Sequence, residues 1–416
     1  MRALLEQSFR AAVAAADPLH ILAPHLPPPP KGRTFVAAAG KAAASMAAAV
    51  EAHWNHSLEG IAITRYGHGL PTKRIRVVEA GHPVPDEAGE AAAREILQRV
   101  KELGKDDLLL ALLSGGGSSL LSLPAEGISM ADLKAVTAQL LRSGATIQEI
   151  NTVRKHLSAI QGGRLAAACR AQVLSLIISD VTGDDPTHIA SGPTAPDPTT
   201  YRDALDVLRK YRISPPAAVK ARFERAADET PKPGDPVFRR VENRVIATPH
   251  RSLEAAAEVF AKRNIQPVIL GDTITGEAAE VAKVMAGLVR EIRKYSIPFR
   301  PPVALISGGE CTVTVHEEGG RGGRCAEFLL SLAIELQGLD EVWGIAADTD
   351  GIDGSEDNAG AFMTPDSVDR ASKKGLDAKA LLAKHDSYGF FSALGELLVT
   401  GPTRTNVNDY RAIIVA

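Results

Sequence analysis

The chain has 416 residues, more than one hydrophobic core usually serves, so two domains are expected and three are the alternative. Its net charge of −3 and its aromatic content of 4% give no general attraction to nucleic acid or anionic membranes, and little surface for stacking on bases. Cys169, Cys311 and Cys325 have neither metal-ligand spacing nor an even count, which predicts reduced thiols and a cytoplasmic location.

The predicted elements begin with an amphipathic helix that ends near Asp17. Short apolar runs then predict strands at Thr34–Ala38, Ile75–Glu79, Leu108–Leu113, Val173–Ser179, Val245–Ala247, Val268–Leu270, Val303–Ile306 and Val342–Ala346. Helical patterns lie between them, among others at Glu87–Val100, Ala131–Leu141, Leu253–Arg263 and Glu277–Tyr295. No apolar run approaches the roughly 20 residues of a membrane span. The alternation predicts an α/β fold with two domains and mainly parallel, Rossmann-like sheets.

The domain boundary is expected where charge and proline replace apolar periodicity, between residues 222 and 244. This change predicts an amino-terminal α/β domain at 1–240 and a carboxy-terminal α/β domain at 241–416. A second break, RKYSIPFRPP, ends near Pro302.

Two glycine loops each follow a predicted strand: ALLSGGGSSLL at 111–121 and ALISGGECT at 304–312. Glycine lets backbone N–H groups converge, and a following helix N-terminus adds partial positive charge, so the expected guest is an anion. A tight strand-to-helix turn is the alternative for either loop taken alone. The candidate substrate-binding or nucleotide-binding residues are Ser114, Gly115, Gly116, Gly117, Ser118, Ser119, Ser307, Gly308, Gly309 and Glu310.

The segment VAAAGKAAASM at 36–46 also reads strand, glycine, helix, with Lys41 at the helix start. It fails the P-loop template, because the glycine five residues before Gly40 is missing and Ala42 replaces Ser or Thr. No G-x-G-x-x-G follows a strand, so a dinucleotide fingerprint is absent. Lys41 is therefore a candidate to neutralise an anion, with an exposed helix-start lysine as the alternative.

Two acidic loops also follow predicted strands: SDVTGDDPTHIASGPTAPDPTT at 179–200 and ADTDGIDGSEDNAGAF at 347–362. Mg²⁺ keeps waters and takes one or two carboxylates beside substrate phosphates. Capping of backbone amides by the same carboxylates is the alternative. The candidate metal ligands are Asp180, Asp185, Asp348 and Asp350.

Basic and polar residues complete the candidate site. The phrase GGRGGRCAEFLLSLA at 319–333 contains Arg324, whose planar fork suits carboxylate or phosphate, unless the turn is merely solvated. Arg154 is predicted at a helix start in INTVRKHLSAIQGGRLA, and the loop GPTRTNVNDY offers Thr405, Asn406 and Asn408, with capping as the alternative. The candidate site therefore combines glycine loops that can bind anions, carboxylates that can bind a metal ion, and basic side chains, all at strand ends. This combination is typical of phosphoryl transfer.

These phrases, with HPVPDEAG at 82–89, SGGECTVTV at 307–315 and GPTRTNVNDYRAIIV at the end, resemble the class II D-glycerate kinases, or glycerate 2-kinases. The resemblance covers nearly the whole chain, and the family's MOFRL domain would extend from about 302 to 416. It implies phosphorylation of D-glycerate at the 2-hydroxyl with ATP and Mg²⁺, giving 2-phosphoglycerate and ADP. It also implies two α/β domains with the active site in the cleft between them.

The family's lysine in the GK turn corresponds to Lys41 and its arginine in the GGR turn to Arg324, so the resemblance implies that both are catalytic. Asp180 is the third catalytic candidate. Where the family reads GGRNQE, this chain has Cys325 and Ala326, which predicts altered acceptor preference or weaker binding if those amides contact substrate. Arg404 also stands where the family has glycine.

Two other functions stay open. An NAD(P)H-dependent hydroxypyruvate reductase is disfavoured by the missing dinucleotide fingerprint, and a non-catalytic nucleotide-binding regulator by the presence of Lys41, Arg324 and both acidic loops. No nucleic-acid or membrane partner is expected. The sequence leaves the oligomeric state open, with a homodimer as one option, and also the nucleotide preference, acceptor tolerance and metal-binding loop.

Overall fold

The computed structural model describes residues 1–315 and 320–416. These residues form two compact units, which we call the amino-terminal unit, Pro18–Ile246, and the carboxy-terminal unit, Met1–Asp17 with Ala247–Ala416. In these described ranges, no helix is both long and apolar enough to cross a membrane. Gly319, the first residue of the GGRGGR phrase, lies outside the described residues.

The α-helices are α1 (Arg2–Ala14), α2 (Pro18–Ile21), α3 (Ala43–His53), α4 (Glu87–Lys101), α5 (Gly117–Leu120), α6 (Met130–Arg142), α7 (Ile147–His156), α8 (Arg164–Ala168), α9 (Tyr201–Lys210), α10 (Ala217–Arg225), α11 (Pro249–Ala261), α12 (Ala278–Tyr295), α13 (Arg324–Glu335), α14 (Ser367–Lys373), α15 (Ala378–Ala383) and α16 (Ser387–Leu394). Short 3₁₀ turns occur at Ala23–His25, Ile189–Ser191 and Pro236–Arg240.

The strands are β1 (Thr34–Ala39), β2 (Leu58–Arg65), β3 (Ile75–Ala80), β4 (Leu108–Leu113), β5 (Gln172–Ile178), β6 (Val241–Ala247), β7 (Gln266–Gly271), β8 (Gly276–Glu277), β9 (Val303–Ser307), β10 (Cys311–Thr312), β11 (Val342–Asp348), β12 (Gly360–Met363), β13 (Leu397–Leu398) and β14 (Asp409–Val415). Each apolar run that predicts a strand overlaps an observed one. The strands β2, β12 and β14, and the two-residue strands β8, β10 and β13, have no counterpart among the predictions.

The amino-terminal unit contains a six-stranded sheet in the order β3-β2-β1-β4-β5-β6, and the pairings among β1 to β5 are parallel. Every residue of β1 and β4 is buried, as expected for central strands that are covered on both faces. The strand order changes direction between β1 and β4, where the last residues, Ala39 and Leu113, lie opposite each other. The loops after both strands therefore begin at the same point of the carboxyl edge.

The carboxy-terminal unit contains a second six-stranded sheet, in the order β13-β12-β11-β14-β9-β7. The α/β class is confirmed, but the prediction of mainly parallel strands is wrong for this sheet. Only β7 and β9 pair in parallel, and the other neighbours pair antiparallel. Antiparallel neighbours need no crossover helix. The loop at 349–359 joins β11 directly to β12, and β14 lies between β11 and β9.

Helix α1 belongs to the carboxy-terminal unit, whereas the predicted division counted it with residues 1–240. Leu5 and Phe9 are buried with Phe260 of α11, and each such side chain contributes about 1.5–3 kcal/mol when fully buried. The Tyr410 hydroxyl of β14 donates to Ser8 Oγ at 2.7 Å. The amphipathic pattern predicts the helix, but it does not reveal which distant elements cover its apolar face.

Candidate active site

The loops that follow β1 and β4 are joined by hydrogen bonds. The Lys41 N–H donates to the Gly115 carbonyl at 2.8 Å, and the Ala42 N–H donates to Ser114 Oγ at 3.0 Å. Ser114 is fully buried and Lys41 is half-buried, directly before α3. The structure therefore brings Lys41 to the Ser114–Ser119 loop, two features that lie more than 70 residues apart in sequence.

Gly40 allows the two loops to approach closely. Its φ is +131°, and a Cβ atom there would lie 2.1 Å from Ser114 Oγ and 2.6 Å from the Ser114 carbonyl oxygen. Gly40→Ala is therefore expected to lower the free energy of unfolding by about 2–4 kcal/mol, measured by chemical denaturation, because it adds both backbone strain and steric overlap.

Gly127→Ala is the matched control for that substitution. Gly127 has a φ of +80°, but a Cβ atom there would meet nothing within 4 Å. This variant should lose only about 1 kcal/mol, from strain alone. Equal losses in the two variants would contradict a role for the close approach at Gly40.

The helix after the first glycine loop is a single turn, α5, which begins after Gly116 at φ +79°. A helix does follow the loop as predicted, but a single turn aligns few peptide dipoles, and its electrostatic contribution stays a prediction. The 11-residue helix α3 begins just after Lys41.

A set of polar side chains that the sequence pattern does not reveal packs against the Ser114–Ser119 loop. Ser191 Oγ lies 2.8 Å from Ser118 Oγ and 3.2 Å from Asn151 Oδ1, while Gln161 Nε2 donates to the Ser118 carbonyl at 2.8 Å. Ala190 and Ser191 have φ values of +52° and +58°. Such strain persists where surrounding contacts hold it, often at functional sites. The unusual length of the loop at 179–200 is the one sequence feature that indicates a functional role for Ser191.

A buried ion pair lies behind Ser191. Lys155 Nζ is 3.4 Å from Asp197 Oδ1, and the two side chains are 1% and 0% exposed. Burial lowers the pKa of Lys155, and the nearby carboxylate of Asp197 offsets this effect only in part. The pKa of Asp197 lies below its ordinary value, because Lys155 and hydrogen bonds outweigh the opposing effect of burial. The Gly162 N–H donates to the Ser191 carbonyl at 3.0 Å, and a Cβ at Gly162 would lie 3.1 Å from Lys155 Cβ. The pair thus supports the segment that carries Ser191.

Arg154 lies in the last turn of α7 and not at a helix start, so that prediction is wrong. Thr146 and Glu149 form a capping box that begins the helix at Ile147, and basic residues are favoured at the opposite end. Arg154 Nε lies 3.5 Å from Thr137 Oγ1 of α6, and burial lowers the pKa of Arg154 to about 10. Its side chain is directed toward α6, and the geometry gives no support to a role in ligand binding.

The first acidic loop presents its carboxylates in different ways. Asp180 is half-buried just after β5, whereas Asp185 is exposed and its Oδ1 accepts the Thr187 N–H at 2.8 Å. Asp184 Oδ1 is buried without a hydrogen-bond partner among the described residues. A buried carboxylate oxygen in that state calls for a cation or a water molecule. Asp184 is therefore a further ligand candidate, which is absent from the predicted set.

In the carboxy-terminal unit, Arg324 begins α13 and is held by two carboxylates. Its Nε donates to Asp409 Oδ1 and its Nη2 to Asp348 Oδ2, both at 2.7 Å, and Glu310 lies 3.7 Å away. Burial opposes the charge, but Asp348 and Asp409 hold the pKa of Arg324 well above its ordinary value. The side chain is 22% exposed. The guanidinium is thus fixed in orientation and still reachable from solvent.

The second glycine loop is hydrogen-bonded to the cluster formed by Arg324, Asp348 and Asp409. Arg411 Nη2 donates to Asp409 Oδ2 at 2.8 Å, and its Nη1 donates to the Gly308 carbonyl at 3.1 Å. Gly309 has a φ of +102°, and a Cβ there would lie 2.2 Å from the Ile274 carbonyl oxygen. The close approach of the two backbones explains why glycine occupies position 309, which agrees with the alternative that this loop is a tight turn. Asp409 and Arg411 are members of the cluster that are absent from the predicted set.

N–H groups in the first turn of α13 are already hydrogen-bonded to a carboxyl group of the protein, that of Asp353. The buried carboxylate of Asp353 accepts the N–H groups of Cys325 and Ala326 at 3.0 and 2.7 Å, and burial raises its pKa to about 7 despite these bonds. Cys325 and Ala326 are fully buried. Both side chains lie in the core, and the expected effect of the substitution on acceptor preference stays a prediction.

The loop before β14 is also largely occupied by internal contacts. Thr405 is buried and its hydroxyl donates to the Ala16 carbonyl at 2.7 Å, which ties down the segment after α1. The Asn408 N–H donates to Asn406 Oδ1 at 3.3 Å, and both side chains are buried. These contacts favour the capping alternative, and a binding role for the three residues stays a prediction.

The carboxylates fit a Mg²⁺ ion that arrives with phosphate better than a resident ion. Within residues 1–315 and 320–416, no group of three or more His, Cys, Asp or Glu side chains could hold a metal ion. Both oxygens of Asp348 accept hydrogen bonds, one from Arg324 and one from the Asp350 N–H at 3.0 Å. Mg²⁺ commonly needs only one or two carboxylates when water and substrate phosphates complete its shell.

Comparisons with known proteins show which family this chain belongs to. Residues 4–224 match a domain of unknown function, DUF4147, and residues 303–409 match the MOFRL family. A glycerate 2-kinase of Pyrococcus horikoshii is 43% identical over 92% of this chain and 88% of its own length. The crystal structure of a glycerate kinase from Thermotoga maritima matches with a TM-score of 0.89 and 38% identity, covering 100% of this chain and 99% of that one. The chain belongs to the glycerate kinase family.

Another relative in this family has a different name. A protein of Agrobacterium vitis, provisionally named hydroxypyruvate reductase, is 52% identical over 100% of this chain and 94% of its own length. A reductase that uses a dinucleotide typically carries a G-x-G-x-x-G turn after its first strand. Here the corresponding turn after β1 reads GKAAAS, so the sequence of this turn favours the kinase name.

Proposed function

We propose that this protein is a D-glycerate 2-kinase that transfers the terminal phosphoryl group of ATP to the 2-hydroxyl of D-glycerate, giving 2-phosphoglycerate and ADP. The observation that carries the proposal is the position of Lys41 and the Ser114–Ser119 loop. Both lie where the order of a parallel sheet changes direction, which is where such sheets bind their ligands. Relatives named glycerate 2-kinase at 39% and 43% identity support the same reaction.

Phosphoryl transfer needs little covalent chemistry from the protein and depends on positioning and charge neutralisation. In the amino-terminal unit, Lys41 would neutralise an oxyanion held at the Ser114–Ser119 loop. In the carboxy-terminal unit, Arg324 would present a fixed guanidinium fork to a carboxylate or to the transferring phosphoryl group. Asp180 would orient the attacking hydroxyl or accept its proton.

Mg²⁺ bound to the phosphates of ATP would neutralise charge on the transferring group. Asp180 and Asp184 would hold the ion from the first acidic loop, because Asp184 offers a buried oxygen without a partner among the described residues. Asp348 is the weaker candidate, since Arg324 already occupies one of its oxygens. The cytoplasmic location and the homodimer stay predictions.

The test measures ADP release with D-glycerate, ATP and Mg²⁺, and resolves 2-phosphoglycerate from 3-phosphoglycerate in the product. A parallel reaction follows NADH and NADPH oxidation with hydroxypyruvate. We expect 2-phosphoglycerate and no nicotinamide oxidation. Oxidation of NADH or NADPH without ADP release would replace the kinase by a reductase, and 3-phosphoglycerate would change the assigned hydroxyl.

A further inference from the structure

The phrase HPVPDEAG has no role in the function proposed so far, although it contains a histidine close to Lys41. It follows β3, an edge strand that β2 and β1 separate from β4. Two residues after the end of β3, the imidazole of His82 lies beside Gly116, in the loop after β4.

His82 and Lys41 approach the glycine loop at one point. A Cβ atom at Gly116 would lie 2.9 Å from both Cδ2 and Nε2 of His82, and 3.4 Å from Lys41 Cγ. The polar edge of the imidazole and the stem of the lysine therefore flank the same glycine, which is half-buried like His82. A side chain at position 116 would fill the space between them, so glycine keeps both groups close to the loop backbone.

The turn that carries His82 is held in place by Asp86. This carboxylate accepts the Gly89 N–H at 3.0 Å and the Tyr66 hydroxyl at 2.7 Å. Burial acts to raise the pKa of Asp86, but these hydrogen bonds hold it below its ordinary value, so the group stays ionised. A Cβ atom at Gly81 would lie 2.4 Å from the Val84 carbonyl oxygen, which shows how tightly the turn is closed. A rigid turn of this kind keeps a side chain in position before a ligand arrives.

We propose that His82 acts with Lys41 as a second side chain that binds the oxyanion at the Ser114–Ser119 loop. The ligand is a phosphate group of the nucleotide or the carboxylate of glycerate, both of which accept a hydrogen bond from an imidazole N–H. The inference deepens the proposed function and rests on it for the identity of the two ligands. It adds a residue outside the lysine, arginine and aspartate candidates.

The test measures binding in the full chain, without turnover. The imidazole signal of His82 is identified by its absence from the ¹H–¹⁵N spectrum of His82→Gln, among the signals of 11 histidines. Inorganic phosphate, ATP without metal, and D-glycerate are then added separately. A shift with phosphate and ATP assigns His82 to the nucleotide, and a shift with D-glycerate alone assigns it to the acceptor; either result supports the proposal.

Affinity measurements by calorimetry complete the test. His82→Leu should weaken binding of the ligand that moves the signal by roughly ten- to a hundredfold, because a hydrogen bond to a charged group is lost. His82→Gln, which keeps an N–H donor, should recover most of that loss. His56→Leu is the control, since His56 is exposed. Thermal unfolding of each variant verifies that the fold is kept.

The proposal is overturned if none of the three ligands moves the His82 signal and His82→Leu binds them as tightly as the wild type. This result is distinct from a failure of the proposed function. A protein that binds these ligands through His82 but forms no 2-phosphoglycerate would overturn the kinase assignment alone. A protein that forms 2-phosphoglycerate, but shows an unmoved His82 signal and unchanged ligand binding in His82→Leu, would overturn the present inference alone.

Discussion

Lys41→Met is expected to lower kcat for 2-phosphoglycerate formation by roughly a thousandfold, because it removes a positive charge from the place where the phosphoryl group is held. The hydrogen bonds that join the two loops use the backbone N–H groups of Lys41 and Ala42, and these are unaffected by the change of side chain. A cation at a helix N-terminus is itself unfavourable. The free energy of unfolding should therefore stay the same or rise slightly.

Two measurements separate catalysis from folding in this variant: steady-state kinetics and chemical denaturation. Lys31→Met is the matched control, because Lys31 is an exposed lysine of the same unit. It should match the wild type in both measurements. A Lys41→Met protein with kcat within threefold of the wild type would remove Lys41 from the site, and a large loss of stability would make its role structural.

The fold could be predicted from sequence where local pattern and burial coincide. The runs at 34–39 and 108–113 are apolar throughout and become the fully buried central strands β1 and β4. The antiparallel β14 was not predicted, because DYRAIIV places the charged residues Asp409 and Arg411 within an apolar run. These two residues pair with each other, and Asp409 also accepts a hydrogen bond from Arg324, 85 residues earlier in the chain. Pairing with a charge so far away cannot be inferred from periodicity.

The residues of the candidate site likewise fall into those that the sequence predicts and those that it does not. Glycine loops, Lys41 and Arg324 were predictable, because strand ends and unusual local composition mark them. Asn151, Ser191 and His82 were not, since each is brought to the loop by long-range folding and none stands in an unusual spacing. Composition also leaves burial open: Cys325 lies in a glycine-rich and basic phrase, and only the packing of α13 shows that it is buried in the core.

Arg324→Lys is expected to lower both activity and stability, although it keeps the charge. A guanidinium reaches Asp409 through Nε and Asp348 through Nη2, and a single ammonium group cannot span both carboxylates. At least one nearly fully buried carboxylate then loses its ion pair with residue 324, which should lower the free energy of unfolding by up to about 3–5 kcal/mol. If the fork also contacts the transferring group, kcat should fall by roughly a thousandfold.

The two effects of Arg324→Lys can be separated by measuring kcat well below the unfolding transition, which chemical and thermal denaturation define. Arg321→Lys is the matched control, since Arg321 lies exposed in the same glycine-rich turn and should change neither quantity appreciably. A variant that is destabilised but retains its kcat would make Arg324 a structural partner of Asp348 and Asp409 alone. A loss of kcat in protein that is still folded at the assay temperature would show that the orientation of the fork, and not only its charge, is needed for the reaction. The two carboxylates would then act as positioning residues, because they fix Arg324 in the orientation that the reaction requires.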